Sequence, residues 1–358
     1  MKRSCRQQLE GTPLKQPIEL NNYPQAEKRD RKEGVIDFLM KYGTLIALGL
    51  IIIFFSLMNE QFLTYGNITD ILRSISIVTL VAIGVTFSMI VGGFDLSVGS
   101  TVSLATVASA SLLVWHSQEL LVVLVVPLLL GALIGLINSF IVVKIKIPDL
   151  IGTLAVMYII NGVHLTYTKG YSIYSNMPMP DGSGTAPGIF IPAFQFIGQG
   201  RIFTIPFPVI LMVVLVALVH VFLNYTKAGR LFYITGGNKE AARLSGVPVD
   251  RYRTYAYVIS GVFAALAGIV LAARIGTGQV SAGDSLLMDG VAAALIGYSV
   301  FGAGKPNVIG TFIGAIIIGI LLNGLTMMNV PYYAQDIVKG GILVGALALT
   351  YFKTKTDS

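Results

Sequence analysis

Long, nearly unbroken apolar runs recur along this chain, and no other feature constrains its fold as strongly. A helix needs about 20 apolar residues to cross the hydrocarbon of a bilayer. Within lipid, backbone polar groups must also be satisfied inside the spanning structure, which leaves helices and closed barrels. Barrel strands would alternate over segments of roughly ten residues, and no such alternation is present. Only 12% of the residues are charged and the mean hydropathy is +0.76, whereas a soluble domain is about a quarter charged. The expected fold is therefore all-α, a polytopic membrane helical bundle.

Ten spans are expected. The first five lie at Lys41–Leu57, Ile71–Val91, Ser97–Trp115, Leu120–Val143 and Asp149–Thr166. The second five lie at Phe203–Leu223, Thr254–Ala273, Leu287–Phe301, Asn307–Met327 and Ala334–Phe352. The eighth is short for a crossing, which predicts tilt or irregularity. An even number puts both termini on one side. The N-terminal segment through Lys41, Lys144–Pro148, the loop 224–253, Lys305 and the C-terminal tail hold 20 of the 25 basic residues. Asn59–Asp70 and Gly170–Ile202 are poor in Lys and Arg. By the positive-inside rule the termini and the 224–253 loop are cytoplasmic. Residues 1–36 form a polar tail of mixed charge, expected to be a poorly ordered cytoplasmic extension, and 37–358 form the transmembrane domain. The tail has no apolar core of the kind a secretory signal requires. Its Cys5 is the sole cysteine, so no intramolecular disulfide can form.

One charged island stands out between apolar runs: Gly236-Gly237-Asn238-Lys239-Glu240-Ala241-Ala242-Arg243-Leu244-Ser245-Gly246. Asn238 can cap a helix. Glu240 then falls in the first turn and Arg243 near the last, both favoured by the helix dipole. Gly246 and Pro248 supply a stop. So short a helix cannot stand alone in water. It must rest on its own bundle or be held by a cytoplasmic partner.

Charges within the apolar runs are few. Asp95 and Asp149 read as caps, the first in Gly92-Gly93-Phe94-Asp95-Leu96-Ser97 and the second after Pro148. Arg274 closes the seventh span. Asp336 and Lys339 are spaced i,i+3 and can neutralise each other. Asp289 alone has no evident partner. No proton or sodium relay can be assembled from this set, which disfavours a secondary carrier. No phosphate-binding loop is present, since Gly302-Ala303-Gly304-Lys305-Pro306 lacks the spacing and the hydroxyl. The histidines His116, His164 and His220 fall on separate segments without a metal-site pattern. The chain is expected to have no catalytic, metal or cofactor site, and no nucleic-acid partner. Small residues at Gly131/Gly135 and Gly310/Gly314 allow close helix packing and predict a compact bundle without marking a dimer face.

The run Gly84-Val85-Thr86-Phe87-Ser88-Met89-Ile90-Val91-Gly92-Gly93-Phe94-Asp95-Leu96-Ser97-Val98-Gly99-Ser100 resembles the signature of membrane permease subunits of ribose-, xylose- and galactose-class ABC importers. So do Thr226-Lys227-Ala228-Gly229-Arg230 leading into the charged island, Ala282-Gly283, Asp289, Ile309-Gly310-Thr311 and Asn323-Gly324-Leu325. The resemblance runs from about residue 40 to the end. It implies a ribose-permease type of fold and two permease copies, identical or paralogous, around one path. It further implies a separate pair of ATP-binding cassette subunits that hydrolyse ATP, an extracellular or periplasmic solute-binding protein, and residence in the bacterial cytoplasmic membrane. The coupling residues it implies are Gly236, Gly237, Asn238, Glu240, Ala241, Ala242 and Arg243. Gly93, Asp95, Ser97, Gly99 and Asp149 form a structural loop and caps.

The chain departs from the family's pattern at Leu287, where a Glu is common, at Gly297-Tyr298-Ser299-Val300, and at Asn161, where an Arg is common. These departures leave open a simple sugar or, in a neighbouring branch, a nucleoside, a furanone signal or a vitamin. A neutral polar solute calls for polar uncharged and aromatic lining. The candidates are Ser88, Asn138, Asn161, Tyr298 and Asn323, each polar within an apolar span. Two other classes stay open at this point: an ion-coupled carrier, and a membrane scaffold or receptor that binds through the 224–253 loop and moves nothing.

Overall fold

A computed structural model describes residues 31–341 and 344, apart from 180, 181, 183, 301–303 and 332. Cys5, most of the 1–36 tail, Gly302, Ala303, the C-terminal tail and the later part of the Ala334–Phe352 span lie outside the described residues. The chain divides into a unit ending at Leu39 and a second from Met40. Of the first, only helical backbone from Arg31 is described. The second forms the helical bundle.

Helix dominates, as the apolar runs require. α1 (Arg31–Met58), α2 (Tyr65–Ile90), α3 (Val98–Val114), α4 (Leu120–Ser139) and α5 (Asp149–Thr168) form the first half. The second half contains α6 (Pro192–Gln199), α7 (Phe207–Tyr225), α8 (Lys227–Gly237), α9 (Lys239–Leu244), α10 (Val249–Ile275), α11 (Ala282–Ser299) and α12 (Val308–Met327). A further helical stretch covers residues 333–341. Among the described residues six helices are long and apolar enough to cross a membrane: α2, α4 with its π-helical end at Phe140–Lys144, α5, α7, α10 and α12. The segment Tyr42–Met58 and α3 are apolar but shorter. Each expected span overlaps helix within the described residues, but several, the sixth most of all, open on residues that are not helical.

α10 is the centre of the bundle, packed against α2, α3 and α4, while α11 and α12 pack on each other and on α2. Glycines set the closest of these crossings. A Cβ on Gly131 of α4 would collide with the Gly261 carbonyl of α10, and one on Gly261 would collide with the Gly131 carbonyl. Gly135 meets the Tyr257 backbone in the same way. Gly310 and Gly314 of α12 press on Gly297 and Ala293 of α11. The small-residue spacings therefore serve crossings inside the chain, where backbones in lipid gain most from close contact. By contrast α4, α5 and α7 leave large side chains such as Leu121, Leu129, Tyr158, Ile159 and Leu218 exposed. Apolar side chains on an outer face suit lipid or a second membrane chain.

The segment expected to be loop between the fifth and sixth spans carries structure of its own. β1 (Ile173–Tyr174) pairs antiparallel with β4 (Thr277–Gly278), which follows α10. α6 lies against α10, with Gly198 set directly on the Ala273–Arg274 backbone and Gln199 Nε2 donating to the Arg274 carbonyl at 3.0 Å. β2 (Arg201–Ile202) and β3 (Ile205–Pro206) make a short hairpin. The expected span from Phe203 therefore begins later, at Phe207. Phe203 has a φ of 54°, a turn conformation that no helix accommodates, and Pro206 starts the helix as its cap. The seventh span is expected from Thr254, but α10 begins at Val249, and its first turn is tied to α9 through the Arg243–Asp250 pair.

Candidate functional site

At the end of the bundle that carries the charged island, four segments meet. Thr226 caps α8, its Oγ1 accepting from Gly229 N–H at 3.0 Å. At the far end of α8, Gly236 lies so close to the Ile90 carbonyl of α2 that a Cβ there has no room. The chain then turns at Asn238, whose Oδ1 accepts from Ala241 N–H at 3.0 Å and starts α9. Side-chain capping of this kind satisfies an orphan donor of the first turn. Arg243 pairs with Glu240 at 3.5 Å and with Asp250 at 3.0 Å, so α9 is tied to the first turn of α10. Ala242 is the buried foot of α9. Leu244 points the other way and is 89% exposed. An apolar side chain so exposed on a charged helix is the signal that reading the residues as a polar island overlooks.

The coupling residues also touch the Gly92–Asp95 loop. Lys239 Nζ donates to the Gly92 carbonyl at 3.3 Å. Burial, with help from the nearby Arg253 charge, holds the Lys239 ammonium below the usual lysine range, against the opposing pull of Asp149. One residue on, a Cβ at Gly93 would lie 2.6 Å from Asp149 Oδ2 and 2.7 Å from the Tyr257 hydroxyl. Only glycine fits. Asp149 is itself held by Arg253 Nη2, at 2.9 and 3.1 Å, and by Tyr257 Oη at 2.8 Å. This corrects the reading of Asp149 as a cap. Pro148 occupies the cap position and Asp149 opens the first turn, where its carboxylate anchors α5 to α10.

Asp95 needs a similar correction. Its Oδ1 accepts from Ser97 N–H at 3.0 Å and from Ser97 Oγ at 2.7 Å, as a residue leading into a helix should. The cap position of α3 belongs to Ser97, however, whose side chain makes no capping bond. Asp95 also accepts from Asn138 Nδ2 at 3.2 Å and from Ser260 Oγ at 2.8 Å, and it is fully buried. It is a knot that joins α3, α4 and α10. Asn138 completes it by donating to Ser97 Oγ at 2.7 Å. A Cβ on Gly99, in the first turn of α3, would meet the Gly283 carbonyl of α11.

The five candidate lining residues do not converge. Ser88 is buried and donates to the Val85 carbonyl at 2.8 Å. Asn138 is consumed by the Asp95 knot. Asn161 on α5 and Tyr298 on α11 are half-buried on separate helices. Asn323 lies towards the opposite end of α12, where its Nδ2 donates to Asn67 Oδ1 at 2.8 Å. Asp289 is not without a partner, as the residues alone suggest. Lys339 Nζ lies 3.0 Å from its Oδ1 and 3.3 Å from Asp336. That pairing joins segments distant in sequence, so no i,i+3 or i,i+4 rule could reveal it. Among the described residues no cluster of His, Cys, Asp and Glu has the form of a metal site.

Residues 67–347 match the family described as "Branched-chain amino acid transport system / permease component". The chain is 37% identical to the ribose import permease protein of Haemophilus influenzae, over 89% of this chain and 95% of that protein. It is 36% identical to the ribose import permease protein of Bacillus subtilis, over 90% and 95%. It is 33% identical to the D-allose transport system permease protein of Escherichia coli, over 87% and 92%. No solved structure matches.

Proposed function

The chain belongs to this family of membrane permease components, and we propose that it forms the translocation path of a binding-protein-dependent ABC importer for a simple sugar. The relatives named for ribose, xylose, D-allose and galactose support a neutral monosaccharide as the solute. In this reading two permease copies face each other in the bacterial cytoplasmic membrane, with both termini in the cytoplasm. A solute-binding protein delivers sugar from outside. This chain binds no nucleotide, and a pair of cassette subunits hydrolyses ATP against the α8–α9 face.

The carrying observation is the mechanical continuity of that face. Leu244 stands out from α9 as an apolar knob for a groove on the ATPase. Behind it, α8 is seated on the end of α2 through Gly236, and Lys239 is hydrogen-bonded to Gly92. A push on α9 reaches the Gly92–Asp95 loop through the close backbone approach of Gly236 to Ile90 and through the Lys239 side chain. From there the Asp149–Arg253–Tyr257 anchor and the Asp95 knot spread it to α3, α4, α5 and α10. A lever of this kind can bias a bundle between two states only as far as ATP binding favours one of them. Uptake then needs no charge relay within the lipid.

The test is reconstitution in liposomes with the ATPase pair and the binding protein, followed by uptake of labelled sugars. ATP-dependent uptake of one monosaccharide is expected, abolished by omitting either partner. Uptake that proceeds without the ATPase and follows an ion gradient would establish the carrier alternative instead.

A further inference from the structure

At the end of the bundle away from α8–α9, the helices α2, α10, α11 and α12 line an open-mouthed cavity of about 510 Å³. Asp70 and Ser74 of α2, Arg274 of α10, Asp289 of α11, and Asn323 and Thr326 of α12 line it. The cavity between α3, α4 and α5, about 370 Å³, is by contrast lined almost wholly by apolar groups. The polar groups of the first cavity are only partly engaged. Arg274 Nη1 donates to Ser74 Oγ at 3.1 Å, which leaves other guanidinium donors available. Asn323 Oδ1 is buried and accepts no hydrogen bond from the described residues.

Asp289 is 4% exposed and its one cation among the described residues is Lys339, whose side chain is 15% exposed. As structural glue such a pair is a poor choice, because desolvating both ions offsets most of their attraction and apolar side chains often do better. Ionisable groups at membrane depth more often mark a solute's route. Lys339 also has a second place to go. Asp336, one turn back on the same helix and largely exposed, already lies 3.3 Å from its Nζ. The ammonium can therefore leave Asp289 without being stranded. The two acids that line the cavity are each paired from behind, Asp70 with Arg73 and Asp289 with Lys339, and Lys339 also lies by Asp336. Among the described residues the lining Arg274 and these neighbours therefore leave little net charge to attract an ion. A cavity of several hundred cubic ångströms with a few convergent polar groups is the ordinary form of a small-ligand site.

We propose that this cavity is the first resting site of a neutral polyhydroxy solute in the permease, with Asp289 and Asn323 Oδ1 accepting from its hydroxyls, Arg274 donating to them, and Lys339 acting as a latch on Asp289. Neighbouring hydroxyls of a polyol match the two acceptor oxygens of a carboxylate, and the guanidinium supplies the complementary donors. Entry of the solute displaces Lys339 towards Asp336 and so loosens α11 from the helix over residues 333–341. The inference rests on the importer reading and adds to it where the solute binds.

The experiment uses the reconstituted importer with Thr326→Cys as a reporter in a Cys5→Ser background, so that the cavity carries the introduced thiol. A membrane-impermeant thiol reagent is added outside, with and without saturating D-ribose, D-xylose, D-allose or D-galactose, and ATP-driven uptake is measured in the same liposomes. At least one sugar is expected to slow labelling roughly tenfold, the size of effect that charge-assisted hydrogen bonds support. Asp289→Asn and Arg274→Gln should each remove most of that protection while the permease still co-purifies with its ATPase. Lys339→Gln should keep the protection and raise the labelling rate of the unprotected cavity. If uptake remains ATP-driven but none of the four sugars protects, the site is overturned and the importer reading stands. Protection that survives Asp289→Asn and Arg274→Gln combined also overturns it. Uptake that needs no ATPase would instead remove the importer reading.

Discussion

Asp95 is surrounded by donors and shielded from water, so its replacements can be ranked by how many donors each leaves unpaired. Ser97 N–H, Ser97 Oγ and Asn138 Nδ2 converge on one oxygen and Ser260 Oγ on the other. In Asp95→Asn the amide oxygen can keep the first three. The amide nitrogen then faces Ser260, whose hydroxyl can turn to accept. That change should cost about 1 kcal/mol, a small fall in the thermal midpoint of the detergent-solubilised protein. Asp95→Leu strands several buried donors at about 1–3 kcal/mol each and should prevent stable folding. Equal damage from Asn and Leu would show that the negative charge itself is needed. Gly93 permits no such ranking. Gly93→Ala would drive a methyl between Asp149 and Tyr257, so a loss of several degrees is expected even for this smallest change. That the Gly-Gly-Phe-Asp run matters is legible in the sequence. Its partners Arg253, Tyr257 and Ser260 are not, because they stand more than a hundred residues away and their periodicity is that of any span.

Among the elements, the α8–α9 pair shows what local sequence can and cannot carry. Asn238, Glu240, Arg243 and Gly246 spell out a capped helix from propensity and dipole alone, and α9 is where they put it. α8 escapes such a reading because Lys227–Gly237 is too polar to resemble a span and ends in two glycines. Those glycines differ in a way only packing reveals. Gly236 is seated on the Ile90 carbonyl, whereas a Cβ on Gly237 meets nothing within 4 Å. Gly236→Ala should therefore lower the thermal midpoint of the isolated permease by several degrees. Gly237→Ala should leave it unchanged or raise it slightly, as alanine for glycine does in a helix. Equal midpoints for the two variants would separate α8 from α2. Asn238→Ala removes a cap worth about 1 kcal/mol, and its effect should be on ATPase stimulation more than on stability, since the Arg243 pairs on the exposed α9 add little to folding. Full stimulation in Asn238→Ala would mean that α9 need not be preformed to couple.

On the scale of the whole molecule, the two ends are built for different work. One end holds the α8–α9 lever, Lys144, Lys146 and Lys305. The other holds the β1–β4 pairing, α6, the β2–β3 hairpin and the polar cavity. The charge bias anticipates this polarity, since the count of Lys and Arg is a property of loops and survives ignorance of packing. The cap formed by β1, α6 and the β2–β3 hairpin leaves no such trace, because its strands are two residues long and β1 pairs with a partner beyond α10. Sidedness can be tested directly with two side chains that project into solvent at opposite ends, Leu244 at 89% exposure and Phe203 at 97%. In a Cys5→Ser background, Phe203→Cys should react with an impermeant thiol reagent added to intact cells. Leu244→Cys should react only after the membrane is permeabilised. Adding the purified ATPase to inside-out vesicles should then shield Leu244→Cys and leave Phe203→Cys unaffected once the vesicles are opened. Labelling of Leu244→Cys in intact cells would invert the topology and place the lever where no ATPase could reach it. Reaction that proceeds equally with the ATPase bound would keep the topology and remove Leu244 from the docking surface.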